Sequence, residues 1–209
     1  MSKPLPTILR THLTALRALL VLTVILGIAY PLLITGISQV AFDDKANGSI
    51  VTSGGKQVGS SLIGQSFDLP KADPADPKEE PRPDPQWFQP RPSTNGYAGD
   101  NSGAGNLGPN SEDLLKAVDD RRAAVAAFDG VDPATVPADA LTASGSGLDP
   151  HISVAYAEEQ VDRVAKNRGL PVETVKRLVD EFTEGRSAGF LGNEGVNVVL
   201  LNKALSEQK

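Results

Sequence analysis

The chain has 209 residues, no cysteine and two histidines, and its formal net charge is −6 at pH 7. This composition excludes disulfide bonds, thiolate zinc sites, thiol nucleophiles and a histidine-rich metal site. Residues 1–42 contain three basic side chains and no acidic one, so the rest of the chain carries a formal charge of −9. An acidic segment of this kind argues against nucleic acid or anionic lipid as a partner.

An uncharged apolar run covers residues 18–42. A helix of these 25 residues would be about 37 Å long, enough to cross a hydrocarbon core about 30 Å thick. The run therefore predicts one transmembrane helix, between a tail at residues 1–17 and an outer domain at residues 43–209. Pro31 is expected to kink this helix, and Tyr30 and Pro31 are candidates for contact with a neighbouring membrane helix.

The charges on either side of the run predict its orientation. Lys3, Arg10 and Arg17 precede it, whereas Asp43 and Asp44 follow it directly. Because basic residues stay on the cytoplasmic side, the N terminus is expected inside and residues 43–209 outside a bacterial cell membrane. A cleaved secretory signal is the alternative, with residues 36–38 as a small-x-small cleavage site, but the run is longer than the apolar core of a signal.

The outer domain is expected to begin with strands and a mobile insertion. Short apolar segments on either side of residues 53–55, Ser-Gly-Gly, predict a β-hairpin. Residues 69–85 then hold six of the sixteen prolines among charged residues. Such a segment buries little apolar surface, so we expect a mobile surface insertion.

Residues 86–93, QWFQPRPS, contain the only tryptophan. Trp87 and Phe88 predict a loop held to the core by its aromatic side chains. Alternatively, Trp87, Phe88 and Arg91 belong to residue types that are enriched at interface hot spots, and they are then candidates for partner docking. The glycine-rich residues 98–111 lack the order and the lysine of a phosphate-binding loop.

Three helices and a final strand are predicted for the remaining domain. The first is capped by Ser111 and extends to about residue 128, the second extends from Ser153 to about residue 168, and the third begins at Pro171. Residues 196–201, VNVVLL, predict a buried strand that returns to the sheet. The fold class is therefore α+β. The residues expected to face inward are Leu114, Leu115, Val118 and Val125 in the first helix, Ala155, Val161, Val164 and Ala165 in the second, and Val172, Val175, Leu178, Val179 and Phe182 in the third.

The segment from residue 137 to 153 places Ser144, Ser146, Asp149 and His151 close together in the sequence. This invites a Ser-His-Asp interpretation, but triads draw their members from separated segments, and the G-x-S-x-G elbow is absent. We expect a structural loop in which glycines make the turns and Asp149 and His151 hold it in place.

The motifs together resemble the C subunit of the Kdp potassium-transporting P-type ATPase of bacteria. In chain order they are ANGSIV at 46–51, GQSF at 64–67, FQPRPS at 88–93, SGAGNLGPNS at 102–111, LTASGSGLDPHIS at 141–153, RVAKNRGL at 163–170 and VNVVLLNKAL at 196–205. The chain departs from the family in its longer proline-rich insertion and in Gly105, where serine is common.

The resemblance implies a complex in which a channel-like subunit carries potassium and a P-type subunit hydrolyses ATP. This chain would be a non-catalytic accessory subunit that stabilises their assembly, with no cofactor of its own. The chain has neither a D-K-T-G phosphorylation motif nor a Walker loop, which agrees with that role. From the predicted sidedness we expect the acidic domain to cap the outer potassium entrance.

Two alternatives remain open. The family resemblance also implies a possible role in raising the nucleotide affinity of the ATPase subunit, with Ser144, Gly145, Ser146 and Gly147 compared to the signature loop of ABC transporters. The other alternative is a membrane-anchored hydrolase that uses Ser144 or Ser146 with His151 and Asp149.

Overall fold

The computed structural model describes residues 6–73, 76 and 79–208. The chain divides into two compact units, residues 1–49 and residues 50–209. The division between these units lies seven residues after residue 42, the predicted end of the transmembrane helix. The proline-rich insertion is only partly included, since residues 74, 75, 77 and 78 lie outside the described residues.

The first unit is one long apolar helix with a short helix after it. Helix α1 covers Thr7–Leu22, a π-helical segment covers Thr23–Ala29, α2 covers Tyr30–Ala41 and α3 covers Asp43–Ala46. By length and composition, Thr7–Ala41 is a candidate membrane span of 35 residues. A helix of this length and apolar composition near the N terminus can also be a signal sequence. The helix begins at Thr7, eleven residues before the predicted start of the span at residue 18.

The π-helical segment explains how the long helix accommodates Pro31. A proline has no N–H for the helical ladder, and its ring collides with the carbonyl one turn earlier. Here the backbone widens directly before the proline, and the Tyr30 N–H donates to the Ile25 carbonyl five residues back. Tyr30 and Pro31 open α2, and both lie exposed on the helix surface.

The second unit begins with the predicted hairpin. Strand β1, Ile50–Ser53, pairs antiparallel with β2, Lys56–Ser60. Gly54 and Gly55 form the turn with φ of 55° and 76°, which is the backbone conformation that a tight hairpin turn requires and that glycine adopts without strain.

In the part of this unit that the structure describes, a three-stranded antiparallel sheet and five helices follow the hairpin. The strands are β3, His151–Ile152, β4, Thr183–Glu184, and β5, Gly195–Asn197, in the order β3-β5-β4. The longer helices are α4, Glu112–Asp129, α6, Val154–Arg168, α7, Val172–Glu181, and α8, Val198–Ser206; α5, Ala138–Leu141, is a single turn. This confirms the predicted α+β class.

The core lies between α6, α7, α8 and the central strand β5. Val164, Val175, Val196 and Leu201, from these four elements, have no exposed surface. In helix α4, Ala126 is the one buried residue. The unit therefore has its own apolar core, and α4 covers one side of it.

Several sequence predictions need correction. The predicted strand at residues 196–201 ends at Asn197, whose side chain caps α8 by accepting a hydrogen bond from the Leu200 N–H. Leu115 is 63% exposed and Ala155 is exposed, although both were expected to face inward. In the first turn of α6, Tyr156 and Ala157 are buried instead, whereas Val161, Val164 and Ala165 are buried as predicted. Val172 also lies at the surface, at 37% exposure.

Candidate functional site

The strap at residues 85–91 is held against the core by side-chain amides from two helices. Asn202 of α8 accepts from the Phe88 N–H at 3.0 Å and donates to its carbonyl at 2.9 Å. Gln160 of α6 does the same for Gln89, at 2.6 Å and 3.1 Å. Both amides are buried, and each one satisfies the two backbone groups of a strap residue as a neighbouring strand would.

The three candidates for partner docking in this strap differ in how far their side chains are buried. Phe88 has no exposed surface and belongs to the core, as the aromatic-loop prediction expects, so its side chain is not available to a partner. Trp87 is half-buried, with its ring 6.2 Å from the Phe67 ring and 4.6 Å from the Arg168 guanidinium. Trp87 and Arg91 therefore retain surface that a partner could meet.

Arg91 joins the strap to the serine-glycine loop. Its NH1 lies 3.1 Å from Asp149 Oδ2, and its Nε and NH2 donate to the Thr142 carbonyl at 3.3 Å and 3.2 Å. The guanidinium thus contacts both ends of the segment that contains Ser144, Gly145, Ser146 and Gly147. Its role in the domain is to fix the shape of that segment.

The serine hydroxyls of this loop bond to the loop's own backbone. Ser144 Oγ accepts from the Gly147 N–H at 2.8 Å, and Ser146 Oγ accepts from the Leu148 N–H at 3.1 Å. Ser144 and Gly147 are buried, whereas Gly145 is exposed. Backbone N–H groups that could hold a phosphate are therefore already used at two positions.

A second loop, residues 93–103, packs on the first. The Gly103 N–H donates to the Ser146 carbonyl at 2.8 Å, and Ser93 Oγ donates to the Gly147 carbonyl at 2.7 Å. Asn95 Oδ1 and the Gly103 carbonyl would lie only 2.7 Å and 2.9 Å from a Cβ at residue 147. This position accommodates glycine alone, both for space and for its φ of 69°. We call residues 91–103 and 142–151 together the loop cluster.

Tyr97 and Gly64 complete the packing of the loop cluster. The Tyr97 hydroxyl donates to the Arg91 carbonyl at 2.7 Å, and burial raises the pKa of this phenol, with the Asp149 charge adding to the effect. A Cβ at Gly64 would lie 2.5 Å from the Tyr97 ring and 2.7 Å from the Asp149 carbonyl. Gly64 of the GQSF motif therefore allows its backbone to approach Tyr97 and Asp149 closely.

Asp149 and His151 form a short chain of titratable groups that ends at Glu184 of β4. Asp149 Oδ1 accepts from the His151 N–H at 3.0 Å and lies 3.5 Å from His151 Nδ1, while His151 Nε2 lies 3.4 Å from Glu184 Oε2. The hydrogen bond with Asp149, together with the Glu184 charge and against partial burial, raises the pKa of His151. Burial alone would raise the pKa of Asp149, but its bonds with His151 and Arg91 lower it.

This arrangement does not assemble a hydrolytic triad. The His151 ring nitrogens face two carboxylates, and the hydroxyls of Ser144 and Ser146 face backbone N–H groups. A serine nucleophile needs a base within hydrogen-bond reach. Within the described residues no group of three or more His, Asp or Glu side chains is arranged to hold a metal ion.

A cavity of about 570 Å³ opens beside the loop cluster. Its walls include the carboxylates of Asp139, Asp149, Glu184 and Glu194, together with Arg91 and His151. Asp139 is already used, since it accepts from the N–H and the hydroxyl of Ser153 at 2.7 Å and 2.8 Å. The surface around this cavity is acidic, in keeping with the formal charge of −9 on residues 43–209.

A buried charge cluster behind α6 was missed by sequence reasoning. Arg163 and Asp129 form an ion pair at 2.5 Å with 4% and 1% of their side chains exposed, and Arg163 also donates to the carbonyls of Pro85 and Trp87. Burial raises the pKa of Asp129 and the nearby Arg163 charge opposes this. Burial, reinforced by the Asp129 and Asp139 charges, raises the pKa of Glu159 to about 7. The only sequence signal is a charged residue at a core-facing position of α6.

These features define a protein with one candidate membrane span among the described residues and an α+β domain whose polar loops are bonded to one another. Residues 12–207 match the family model for the c chain of the K+-transporting ATPase, KdpC. The chain belongs to this family, which confirms the resemblance seen in the motifs.

Curated relatives agree over nearly the full length. The chain is 48% identical to the potassium-transporting ATPase KdpC subunit of Streptomyces coelicolor, over 99% of this chain and 96% of the relative. It is 51% identical to that of Kineococcus radiotolerans, over 98% and 97%, and 44% identical to that of Mycobacterium tuberculosis, over 94% and 97%. These relatives are named as subunits of a transport ATPase, in agreement with the expectation that the chain is not an enzyme by itself.

Proposed function

We propose that the chain is a non-catalytic accessory subunit of an ATP-driven potassium uptake complex, in which it stabilises the assembly of a channel-like subunit and a P-type ATPase subunit. The observation that carries this proposal is the internal bonding of the loop cluster in a member of the c-chain family. Its serines, arginine, aspartate and tyrosine contact one another or the backbone. Such a cluster gives a domain of fixed shape, which suits docking, and offers no free nucleophile.

The domain lies outside the cell in this proposal, over the potassium entrance of the channel-like subunit. Support comes from the three basic residues before the candidate span and from the formal charge of −9 on residues 43–209. A negatively charged surface raises the local concentration of cations at a nearby opening. The acidic cavity at Asp149 and Glu184 adds to this field.

The decisive experiment removes the second unit. Deletion of residues 50–209 is expected to abolish recovery of the complex and potassium uptake by cells that depend on it, whereas the full chain supports both. Unchanged recovery and uptake after this deletion would overturn the proposal.

Sidedness is tested separately by labelling. The chain has no cysteine, so a single introduced thiol reports one position. Gly145→Cys lies exposed on the serine-glycine loop with open space at its Cβ, and we expect an impermeant thiol reagent to label it in intact cells. Thr7→Cys, at the exposed start of α1, is the matched control and should react only after the cells are opened.

A nucleotide-facing role for residues 144–147 predicts the opposite labelling. It would place Gly145 in the cytoplasm, where ATP is present. The loop also has Asp149 beside it and two of its N–H groups already bonded, both unfavourable for a phosphate. Protection of Gly145→Cys in intact cells, together with ATP affinity that falls in a Ser146→Ala complex, would favour this alternative.

A further inference from the structure

The loop between β4 and β5 exposes two large apolar side chains at its tip. Phe190 is 73% exposed and Leu191 is 55% exposed. Exposed aromatic residues are costly to leave in water and are enriched at protein interfaces. The candidate membrane span belongs to the other unit, so lipid contact by that helix does not explain these two residues.

The tip is a closed turn with a defined shape. The Ser187 N–H donates to the Leu191 carbonyl at 2.9 Å, and the Leu191 N–H donates to the Ser187 carbonyl at 2.9 Å. The Gly189 N–H donates to the Arg186 carbonyl at 3.0 Å. These bonds hold the backbone around Phe190 in one conformation. Little backbone conformational entropy would therefore be lost when the tip binds a partner.

The backbone of this turn is also strained at one position. Ala188 has φ of 53°, in the left-handed region that residues with a Cβ rarely adopt, while Gly189 and Gly192 adopt positive φ of 80° and 82° without that penalty. Strain of this kind persists where the local conformation serves a purpose. Here it turns two apolar side chains outward.

The charges around the tip indicate the kind of surface that it fits. In the sequence, Glu181, Glu184 and Glu194 flank the tip and outnumber Arg186. Glu184 and Glu194 also line the acidic cavity, together with Arg91 and His151. Anionic lipid is attracted by basic and not by acidic segments. A protein surface with an apolar socket and a basic rim is complementary to both features.

We infer that Phe190 and Leu191 dock in an apolar, basic-rimmed socket on the extracytoplasmic face of another subunit of the complex. This inference rests on the proposed function and names the surface through which it acts. The tip supplies apolar contact area, and the acidic flanks supply register and discrimination against other partners.

A cross-linking experiment on the complete complex identifies what covers the tip. With benzoylphenylalanine in place of Phe190, irradiation is expected to join this chain to another subunit of the complex. The cross-linked peptide of that subunit should contain lysine or arginine close to apolar residues. A product with lipid alone, a product between two copies of this chain, or the absence of a subunit product would overturn the inference.

A matched pair of surface variants gives a second readout. Phe190→Ser with Leu191→Ser removes the apolar tip, and Leu115→Ser changes a leucine of similar exposure, 63%, on α4. At equal amounts of full chain, we expect the tip variant to need about tenfold or more of the partner subunits for half-maximal recovery. The α4 variant should recover like the unchanged chain. Equal recovery of the two variants would overturn the inference.

The deletion and the tip variant together distinguish a failure of the docking inference from a failure of the proposed function. If deletion of residues 50–209 lowers recovery of the complex but the tip variant does not, the proposed function stands and the docking surface lies elsewhere. If neither change lowers recovery, both are wrong.

Discussion

Arg91 NH1 lies 3.1 Å from Asp149 Oδ2 and joins loops that are 58 residues apart in the sequence. The two side chains are 22% and 30% exposed, so water screens this pair only in part. The same guanidinium donates to the Thr142 carbonyl through two other nitrogens. One residue thus closes the serine-glycine segment at both ends.

Replacing Arg91 should loosen the whole loop cluster. Arg91→Ala leaves the Thr142 carbonyl and the Asp149 carboxylate without these donors, and we expect a loss of about 1–3 kcal/mol in the free energy of unfolding. Arg91→Lys should recover only part of it, because an ammonium cannot reproduce the forked geometry. Denaturant unfolding of the full chain in detergent measures both losses. A variant as stable as the unchanged chain would contradict this account.

The buried amides that clamp the strap should contribute more than any surface polar contact. Asn202→Leu removes both hydrogen bonds to Phe88 and leaves its buried N–H and carbonyl unsatisfied, at a cost of about 2–4 kcal/mol. Gln160→Leu should cost at least as much, because it removes both hydrogen bonds to Gln89 and also the acceptor of the buried Arg163 NH2. The matched control is Gln57→Leu, at an exposed position of β2, and we expect a change within about 0.5 kcal/mol. Thermal unfolding compares the three.

The local features of the fold could be predicted because single residues determine them. Ser111 and Ser153 cap α4 and α6 by accepting from the N–H three residues on, and Gly130 and Gly169 end these helices in the left-handed conformation. The two glycines of the β1–β2 turn are of the same kind. In each case the physical cause lies within one turn of the chain.

Features that depend on distant contacts could not be predicted. Helical spacing shows which apolar residues of α4 share a face, but not which part of that face other elements cover. Leu115 lies on the side that α5 and α6 leave open. The run at residues 196–201 is apolar enough for a strand or a helix, and the Asn197 cap decides for a helix. Residues 88 and 202 form the clamp across a sequence separation of 114, which leaves no local trace.

The two glycines of the serine-glycine loop should respond differently to a methyl group. Gly147→Ala places a Cβ 2.7 Å from Asn95 Oδ1 at a φ of 69°, so we expect a loss of about 2 kcal/mol or more in stability. Gly145→Ala meets nothing within 4 Å and should be nearly neutral. Unfolding midpoints of the two full-length variants test this difference, and equal midpoints would show that the loops are not packed as described.

The bonds of His151 should make stability depend on pH in a defined direction. Because its pKa is raised in the folded chain, the stabilisation is fully present below the ordinary value of about 6.5 and is lost as pH rises through the folded pKa. His151→Gln should therefore destabilise most at about pH 5.5 and least at about pH 8.

The pKa of His151 can also be measured directly. His12→Gln provides a background in which His151 is the only histidine, so its titration can be followed by NMR. A midpoint at or below the ordinary value would contradict the raised pKa.

Glu159 should also make stability fall as pH rises, but its replacement should stabilise the chain at about pH 8. Its Oε1 is buried with no hydrogen-bond partner among the described residues, and its pKa is raised from 4.5 to about 7. A carboxyl group with a raised pKa favours folding only while it is protonated, so stability should fall as pH rises from about 4.5 to about 7 and then level off. Glu159→Gln should remove this decline and unfold at a higher temperature than the unchanged chain at about pH 8, with no such gain at about pH 4. Glu158→Gln, at the exposed neighbouring position of α6, is the matched control and should keep the decline. If both variants show the same pH dependence, Glu159 is not the group that titrates.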